Sequence, residues 1–350
     1  MLDIKDFGAV GDGIHDDTDA LQDAVNAAYT DNEYLYISPG NYAVENDTIM
    51  PFDSSNAFNR GNYIYGAGML RSNIIAQAPN IAIFKYTQPA LNKFMMGGMI
   101  SGLSLSGNGQ AGCTGISAQA LFSHQFQGLY IDGFKYGVEL VNKANPGDSD
   151  ASNHIALDNS RIVNCSQWGF YSNLRSGNNE NSFLSFRNST IEGCGTTAGA
   201  VGGGMYWRGQ MMQFDNSAFV LNKNRGLYIE GGAGLGSNVL CNNLTFENNI
   251  GIHVQCYGIT GMEFNNLQMY SNDMFKAQYG LYFNGGTSLV SNVRVNSAKI
   301  RATAGNNPYI AFVATGANAV NSTIVADSKQ IRWDNFGYAG QTQYLGFTVV

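Results

Sequence analysis

Three ionisable residues occupy one equivalent place in this 350-residue chain: Asp158, Arg187 and Asp215 each stand directly before an Asn, at Asn159, Asn188 and Asn216. Asn242 and Asn265 precede Asn243 and Asn266 in the same way. On stacked strands, Asp158 and Asp215 would lie two rungs and about 9 to 10 Å apart, within rotamer reach of the roughly 6.5 to 9.5 Å carboxyl spacing of an inverting glycosidase. Arg187 between them would keep one acid ionised to activate a water while the other donates a proton. His154, Gln213 and Glu263 are outward neighbours of this line. Four residues after the Asn, Glu192 and Glu247 form a second pair, so Glu192 is a third candidate acid. The alternative reading is a solvated Asp-Arg-Asp surface ladder, which stabilises little.

A further row follows from the glycines. Aligning Gly169, Gly204, Gly226, Gly251 and Gly280 places Tyr171, Tyr206, Tyr228, His253 and Tyr282 in one outward line. Such rings can stack on sugar C–H faces or fill a groove between subunits. Arg208 and Glu230, two residues after Tyr206 and Tyr228, could pair across rungs or hold an acidic sugar. Trp207 is a neighbouring aromatic candidate, and the longer segment 195–204 could wall a binding site.

The elements behind these residues come from a repeat. Asp132-Gly133, Asn159-Ser160, Asn188-Ser189, Asn216-Ser217, Asn243-Leu244, Asn266-Leu267 and Asn292-Val293 recur at steps of 27, 29, 28, 27, 23 and 26 residues. That period belongs to a solenoid, and the alternation between anchors is that of strands. The expected fold is all-β: a right-handed parallel β-helix with an N-terminal capping helix at about 17–29, in which a stack of inward Asn satisfies one corner. Expected divisions are a cap over 1–60, the β-helix over 61–300, and last rungs with a C-terminal cap over 301–350.

Composition agrees with a solenoid. Gly numbers 43, Pro 6, and charged residues make up 13%, about half the usual share. The net charge of −7 without a Lys/Arg run argues against nucleic acid and against anionic membranes. No run of eighteen apolar residues exists, so no membrane span or insertion is expected, and the start at Met1 carries no signal-peptide pattern. Cys113, Cys165, Cys194, Cys241 and Cys256 lack zinc-type spacing and read as buried thiols.

At the N-terminus, Asp6-Phe7-Gly8-Ala9-Val10-Gly11-Asp12-Gly13 leads into Asp16-Asp17-Thr18-Asp19-Ala20-Leu21, with Asp17 or Thr18 placed to N-cap a helix. Ala20, Leu21, Ala24, Val25 and Ala28 give that helix one apolar face, suited to cover the open end of the first rung. This stretch, with Tyr34–Tyr42 and Tyr63–Gly68, resembles the start of the pectate-lyase-like superfamily of β-helix proteins, and most of all a bacteriophage tailspike polysaccharide depolymerase. The resemblance implies a homotrimer on the virion tail, outside the cell, that cleaves a bacterial surface polysaccharide. Capsule, exopolysaccharide and O-antigen are the candidate substrates. No polygalacturonase-like Asn-Thr-Asp or Gly-His-Gly signature is present, and the Asp-Asp pair, Asp16-Asp17, lies in the N-terminal stretch rather than on a rung.

Three functions compete on these residues. The first is a glycoside hydrolase using Asp158, Asp215 or Glu192, with no cofactor. The second is a polysaccharide lyase, in which Arg187, His154 or a row tyrosine removes the proton beside a uronate carboxylate and outward acids hold calcium. The third is a fibre segment that binds glycan without catalysis. In each, His154, Arg187, Gln213, Tyr171, Tyr206, Trp207, Arg208, Tyr228 and Glu230 are the substrate-binding candidates.

Overall fold

The computed structural model describes residues 1–53, 55–56, 58–88, 93–141, 152–173, 181–196, 202–231, 238–271, 277–284, 290–302, 310–315, 324–326, 331–333, 344–345 and 348–349. The chain divides into two compact units, Met1–Ser185 and Phe186–Val350. Both are parallel β-solenoids, built from rungs of three strands whose faces are here called A, B and C.

In the first unit, face A includes Tyr63–Gly66, Met99–Ser101 and Gln125–Gln127. Face B includes Ser104–Ser106, Tyr130–Asp132 and Arg161–Val163. Face C includes Thr114–Ala118, Tyr136–Val141 and Trp168–Asn173. In the second unit, Val239–Asn242, Thr260–Asn265 and Ser291–Val295 lie on face A. Thr190–Glu192, Ala218–Val220, Thr245–Glu247 and Leu267–Ser271 lie on face B, and Arg225–Glu230, Gly251–Tyr257 and Ala277–Asn284 on face C. Strand Gly203–Asp215 pairs with face C at one end and face A at the other. Neighbouring rungs pair in parallel, so columns such as Ile64, Ile100 and Phe126, or Phe219 and Phe246, become continuous apolar stacks inside. The Phe219 and Phe246 rings lie 5.2 Å apart and nearly parallel.

The described residues include an outward and an inward corner ladder of Asn, and the one expected to point inward points outward. Asn188, Asn216, Asn243 and Asn266 are exposed and hold left-handed backbone with φ between 47° and 56°. Their amides bond rung to rung: Asn243 Nδ2 donates to Asn216 Oδ1 at 2.9 Å, and Asn266 Nδ2 to Asn243 Oδ1 at 2.8 Å. At this corner the backbone demands positive φ, which Asn tolerates better than other side chains, and the amide is left facing water. The inward ladder is Asn222 and Asn249, both fully buried. Asn222 Oδ1 accepts from the Cys194 N–H and its Nδ2 donates to Ile191 O; Asn249 Oδ1 accepts from Asn222 N–H and Nδ2, and Asn249 Nδ2 donates to Phe219 O.

Two of the seven anchors are out of phase. Asp132 pairs with Val163, which puts Asp132-Gly133 at the corner after face B; the equivalent of Asn159 in that rung is Gly128, with φ 59°. Asn292 lies within its face A strand, and Ser297 takes the corner, where its Oγ accepts from the Asn266 N–H. Glycine and serine replace Asn at those corners, so an Asn-keyed reading slides to the nearest acidic or amide residue.

The N-terminal helix spans Thr18–Asp31, and Leu21, Ala24, Val25 and Ala28 are buried as its apolar spacing requires. Asp17 occupies the N-cap position without capping. Its carboxylate accepts from the Val10 and Gly11 N–H groups, and Asp16 Oδ1 accepts from Thr18 N–H instead. All five cysteines are free and buried. Over 301–350, Ile310–Thr315 continues face C against Ala277–Asn284, while Asn306, Asn307 and Pro308 lie outside the described residues.

Candidate functional site

Face A of the second unit carries an acid held by amides. Asp215 Oδ1 accepts from Asn242 Nδ2 and Oδ2 from Gln213 Nε2, both at 2.7 Å. The amide line continues upward, with Asn265 Nδ2 donating to Asn242 Oδ1 at 3.0 Å and Asn296 Nδ2 to Asn265 Oδ1 at 2.7 Å. Beside this line, Gln213, Leu240, Glu263 and Arg294 align one above another. Glu263 Oε1 accepts from Asn296 Nδ2 at 2.6 Å. Asp215 and Glu263 therefore lie two strand spacings apart and two residues along the strand, about 12 Å between backbones, on one outward face. A cleft of about 340 Å³ opens there, lined by Asn238, Leu240, Gly261, Glu263, Asn292 and Arg294.

Face C of the second unit gathers a second cluster. Tyr206 pairs with Tyr228 and Arg208 with Glu230 on adjacent rungs. Tyr206 Oη donates to Glu230 Oε2 at 2.6 Å, and Arg208 Nε lies 4.0 Å from Glu230 Oε1. The Tyr206 and Tyr228 rings are 5.1 Å apart; the Arg225 guanidinium sits 5.0 Å over the Tyr228 ring, with its Nε donating to Gln255 Oε1. Burial first, then the hydrogen bond to Glu230, pushes the Tyr206 phenol far up. Burial likewise raises the Tyr228 phenol and lowers the Arg225 guanidinium.

Of the remaining sequence candidates, Asp158, His154 and Tyr171 belong to the first unit, and Arg187, Glu192 and Asp215 to the second. Asp158 is half-buried and aligns with Gln127 on face A. His154 is exposed, and Tyr171 stacks on Tyr136 at 4.8 Å. Arg187 is exposed before its corner Asn; Glu192 is half-buried on face B in the column that continues through Val220 to Glu247.

Two assignments are corrected. Trp207 is fully buried in the column Ile229, Cys256, because alternation that turns Tyr206 outward turns the next residue inward. It cannot touch substrate. His253 is also fully buried, outside the tyrosine row. Tyr228 pairs with Gln255 and Gln255 with Tyr282, because Gly226 and Gly280 stand opposite His253, two residues beyond the Gly251 used for alignment. Counting twelve residues on from Asn216 and Asn243 reaches Tyr228 and Gln255 alike, whereas a count that treats Asn292 as a corner passes over Arg294, which lies within the strand Ser291–Val295. Of the segment 195–204, residues 197–201 lie outside the described residues.

A family model for rhamnogalacturonase A/epimerase, pectate lyase-like proteins matches residues 1–226. Mannuronan C5-epimerase AlgE5 of Azotobacter vinelandii is 43% identical over 67 residues, 19% of this chain and only 7% of the epimerase's own length. Among solved structures, the Agl-KA catalytic domain aligns with a TM-score of 0.66 at 17% identity, covering 99% of this chain and 68% of that one. The Dettilon tailspike protein gp208 aligns at 0.56 with 14% identity, again covering 99% and 68%. At those identities the structural likeness is one of fold. The match over residues 1–226, carried by a parallel solenoid with its helix at the N-terminus, places the chain in the rhamnogalacturonase A/epimerase, pectate lyase-like family.

Proposed function

We propose that this chain is a polysaccharide-acting enzyme of a phage tail, a depolymerase that cleaves a bacterial surface polysaccharide by carboxylate-mediated glycoside hydrolysis, working as a homotrimer. The likeness to a tailspike and the relationship to a polysaccharide epimerase support the substrate class. The observation that carries the mechanism is the pair Asp215 and Glu263 on face A, where Glu263 lines the cleft. Asp215 is fixed by two amide donors and keeps two further acceptor positions, enough to orient a water on one side of the sugar. With side-chain rotation the carboxyls of Glu263 and Asp215 can approach the roughly 6.5 to 9.5 Å that leaves room for that water, and Glu263 can protonate the departing oxygen. Asn238, Asn292 and Arg294 supply hydrogen bonds for the sugar hydroxyls.

The lyase reading is less well supported by the tyrosine row. A phenol pushed far up by burial and by Glu230 stays protonated, a donor to sugar oxygen and a poor base for a uronate proton. Among the described residues no three His, Cys, Asp or Glu side chains converge to hold calcium, so no step is routed through a cation.

The test is product mass spectrometry after incubation with bacterial capsular, exopolysaccharide and O-antigen glycans. Fragments that have gained water, lost in Asp215→Asn and Glu263→Gln, support the reading. Unsaturated uronate fragments would make the chain a lyase, and binding without product would make it an adhesive fibre. Full turnover in both variants would return the search to Asp158 and Glu192.

A further inference from the structure

Face A of the first unit turns aromatic side chains outward on successive rungs. Tyr34 and Tyr36 stand in register with Tyr63 and Tyr65, and the Tyr34 ring meets Tyr63 at 5.5 Å and Tyr65 at 5.7 Å, edge-on both times. Phe58 pairs with Phe94, and their rings stack at 6.0 Å. Met96 pairs with Phe122, which meets His154 at 5.2 Å, and the His154 and Phe183 rings stack at 4.3 Å. The core behind them is already filled by Ile64, Ile100, Phe126 and Leu184. Phe183 even holds left-handed backbone, with φ 56°, where a benzyl side chain is strained and glycine is not.

The open area approaches that of a protein contact. At roughly 200 Å² for a whole side chain, Phe58 at 64% exposure, Tyr34 at 52%, Phe183 at 43%, and Tyr63 and Met96 at 38% leave about 470 Å² uncovered. The largest apolar patch of a monomer is usually about 300 to 600 Å² in all. Half-buried Tyr36, Tyr65, Phe94, Met99 and Phe122, with Gln125 and Gln127 exposed beside them, carry the face toward the roughly 800 Å² that each partner gives to a standard interface.

Aromatic residues, Met and Arg are the types enriched at such contacts. The charged neighbours fit one: Asp3 and Asp158 stand at the two ends of the column that runs through Tyr36, Tyr65, Ser101 and Gln127. Lys93 lies at the start of the Phe94 strand, and Arg60, beside Met96, holds its guanidinium over the Tyr29 ring at 5.1 Å. The rings recur at the strand spacing of about 4.8 Å, a period that another copy of the same solenoid shares. A copy can seat its rings between these rung by rung; a partner without the repeat meets only a few of them.

From this we infer that face A of the first unit is a contact between copies of this chain. The inference deepens the proposed homotrimer: it rests on that assembly and gives it a surface, independently of the Asp215 and Glu263 chemistry.

The experiment is analytical ultracentrifugation of the whole chain over a dilution series, for wild type, Phe58→Glu, Phe183→Gly and, on another face, Ile14→Glu at a residue 84% exposed. Circular dichroism checks folding. Wild type and Ile14→Glu should associate alike, and the two face A variants should keep the spectrum while the dissociation constant rises about 10-fold or more. Glycine fits the backbone at 183, so Phe183→Gly decides the matter if Phe58→Glu fails to fold. A wild type that is monomeric at every concentration overturns the inference and the proposed homotrimer together. A wild-type assembly that the folded face A variants leave intact, or that Ile14→Glu weakens equally, overturns the face and leaves the assembly standing. Retardation of a wild-type monomer by capsular or O-antigen polysaccharide in native gels, lost in Phe58→Glu, would make the face a sugar site instead. Product formation is scored separately: a monomer that still releases fragments keeps the enzyme reading, and an assembled wild type that releases none rejects that reading without touching the face.

Discussion

Tyr206 and Glu230 join adjacent rungs through a 2.6 Å hydrogen bond from phenol to carboxylate, on face C, whereas Asp215 stands on face A. The bond fixes a tyrosine that sequence spacing places equally well as a stacking ring or as a base. Tyr206→Phe should cost about 1 to 2 kcal/mol, because Glu230 is left part-buried without its donor. Denaturant unfolding measures that loss. If Tyr206 binds sugar, KM rises and kcat holds; a kcat fall of 100-fold or so would instead make it the base.

Asp215→Asn should lower turnover by about two to four powers of ten and leave the fold intact, since an amide can still meet Gln213 and Asn242 but cannot take a proton from water. Glu263→Gln should do likewise. Initial rates on the identified glycan, read beside unchanged circular dichroism, decide the point. Retained turnover in either variant would remove that residue from the mechanism.

The two Asn ladders should differ sharply in cost. Asn222→Ala leaves the Cys194 N–H and the Ile191 carbonyl without their side-chain partner in a fully buried place, a loss of about 2 to 4 kcal/mol. Asn243→Gly, at an exposed corner with φ 52°, should cost under about 1 kcal/mol because glycine accepts that backbone. Paired urea melts would show the ranking, and equal costs would refute it.

His124 makes the first unit acid-sensitive. It is fully buried, its ring meets Tyr86 edge-on at 5.4 Å, and Gly61 and Gly98 leave no room around Nε2. Burial lowers its pKa from 6.5 to about 4. The folded state thus binds the proton less well than the unfolded chain. Its stability is complete above pH 6.5 and declines as pH falls toward 4, by about 3 kcal/mol in all. His124→Leu should flatten the unfolding midpoint over that range, and a slope identical to wild type would exclude this residue as the cause.

The repeat of about 27 residues, the strand alternation and the glycine-to-helix opening were sufficient to read a parallel solenoid with an N-terminal helix, because period and pattern are local properties of the chain. The helix from Thr18 to Asp31 and the outward settings of Gln213, Asp215, Tyr206 and Tyr228 follow from them. Trp207 and His253 did not come out as read. Trp207 follows the outward Tyr206 and so turns inward, and His253 stands two residues before the position that pairs with Tyr228.

The sequence by itself determined the rung: which residues alternate, where a corner needs positive φ, and how many residues separate one acid from the next. Only the tertiary structure decided which column each residue joined. Rungs of 23 and 31 residues absorb their difference in turns, and parallel pairing, not residue count, sets what stands beside what. Hence Glu263 and Arg294 came to line one cleft and Gln255 to stand beside Tyr228, where counting from Asn292 and Gly251 had put other residues.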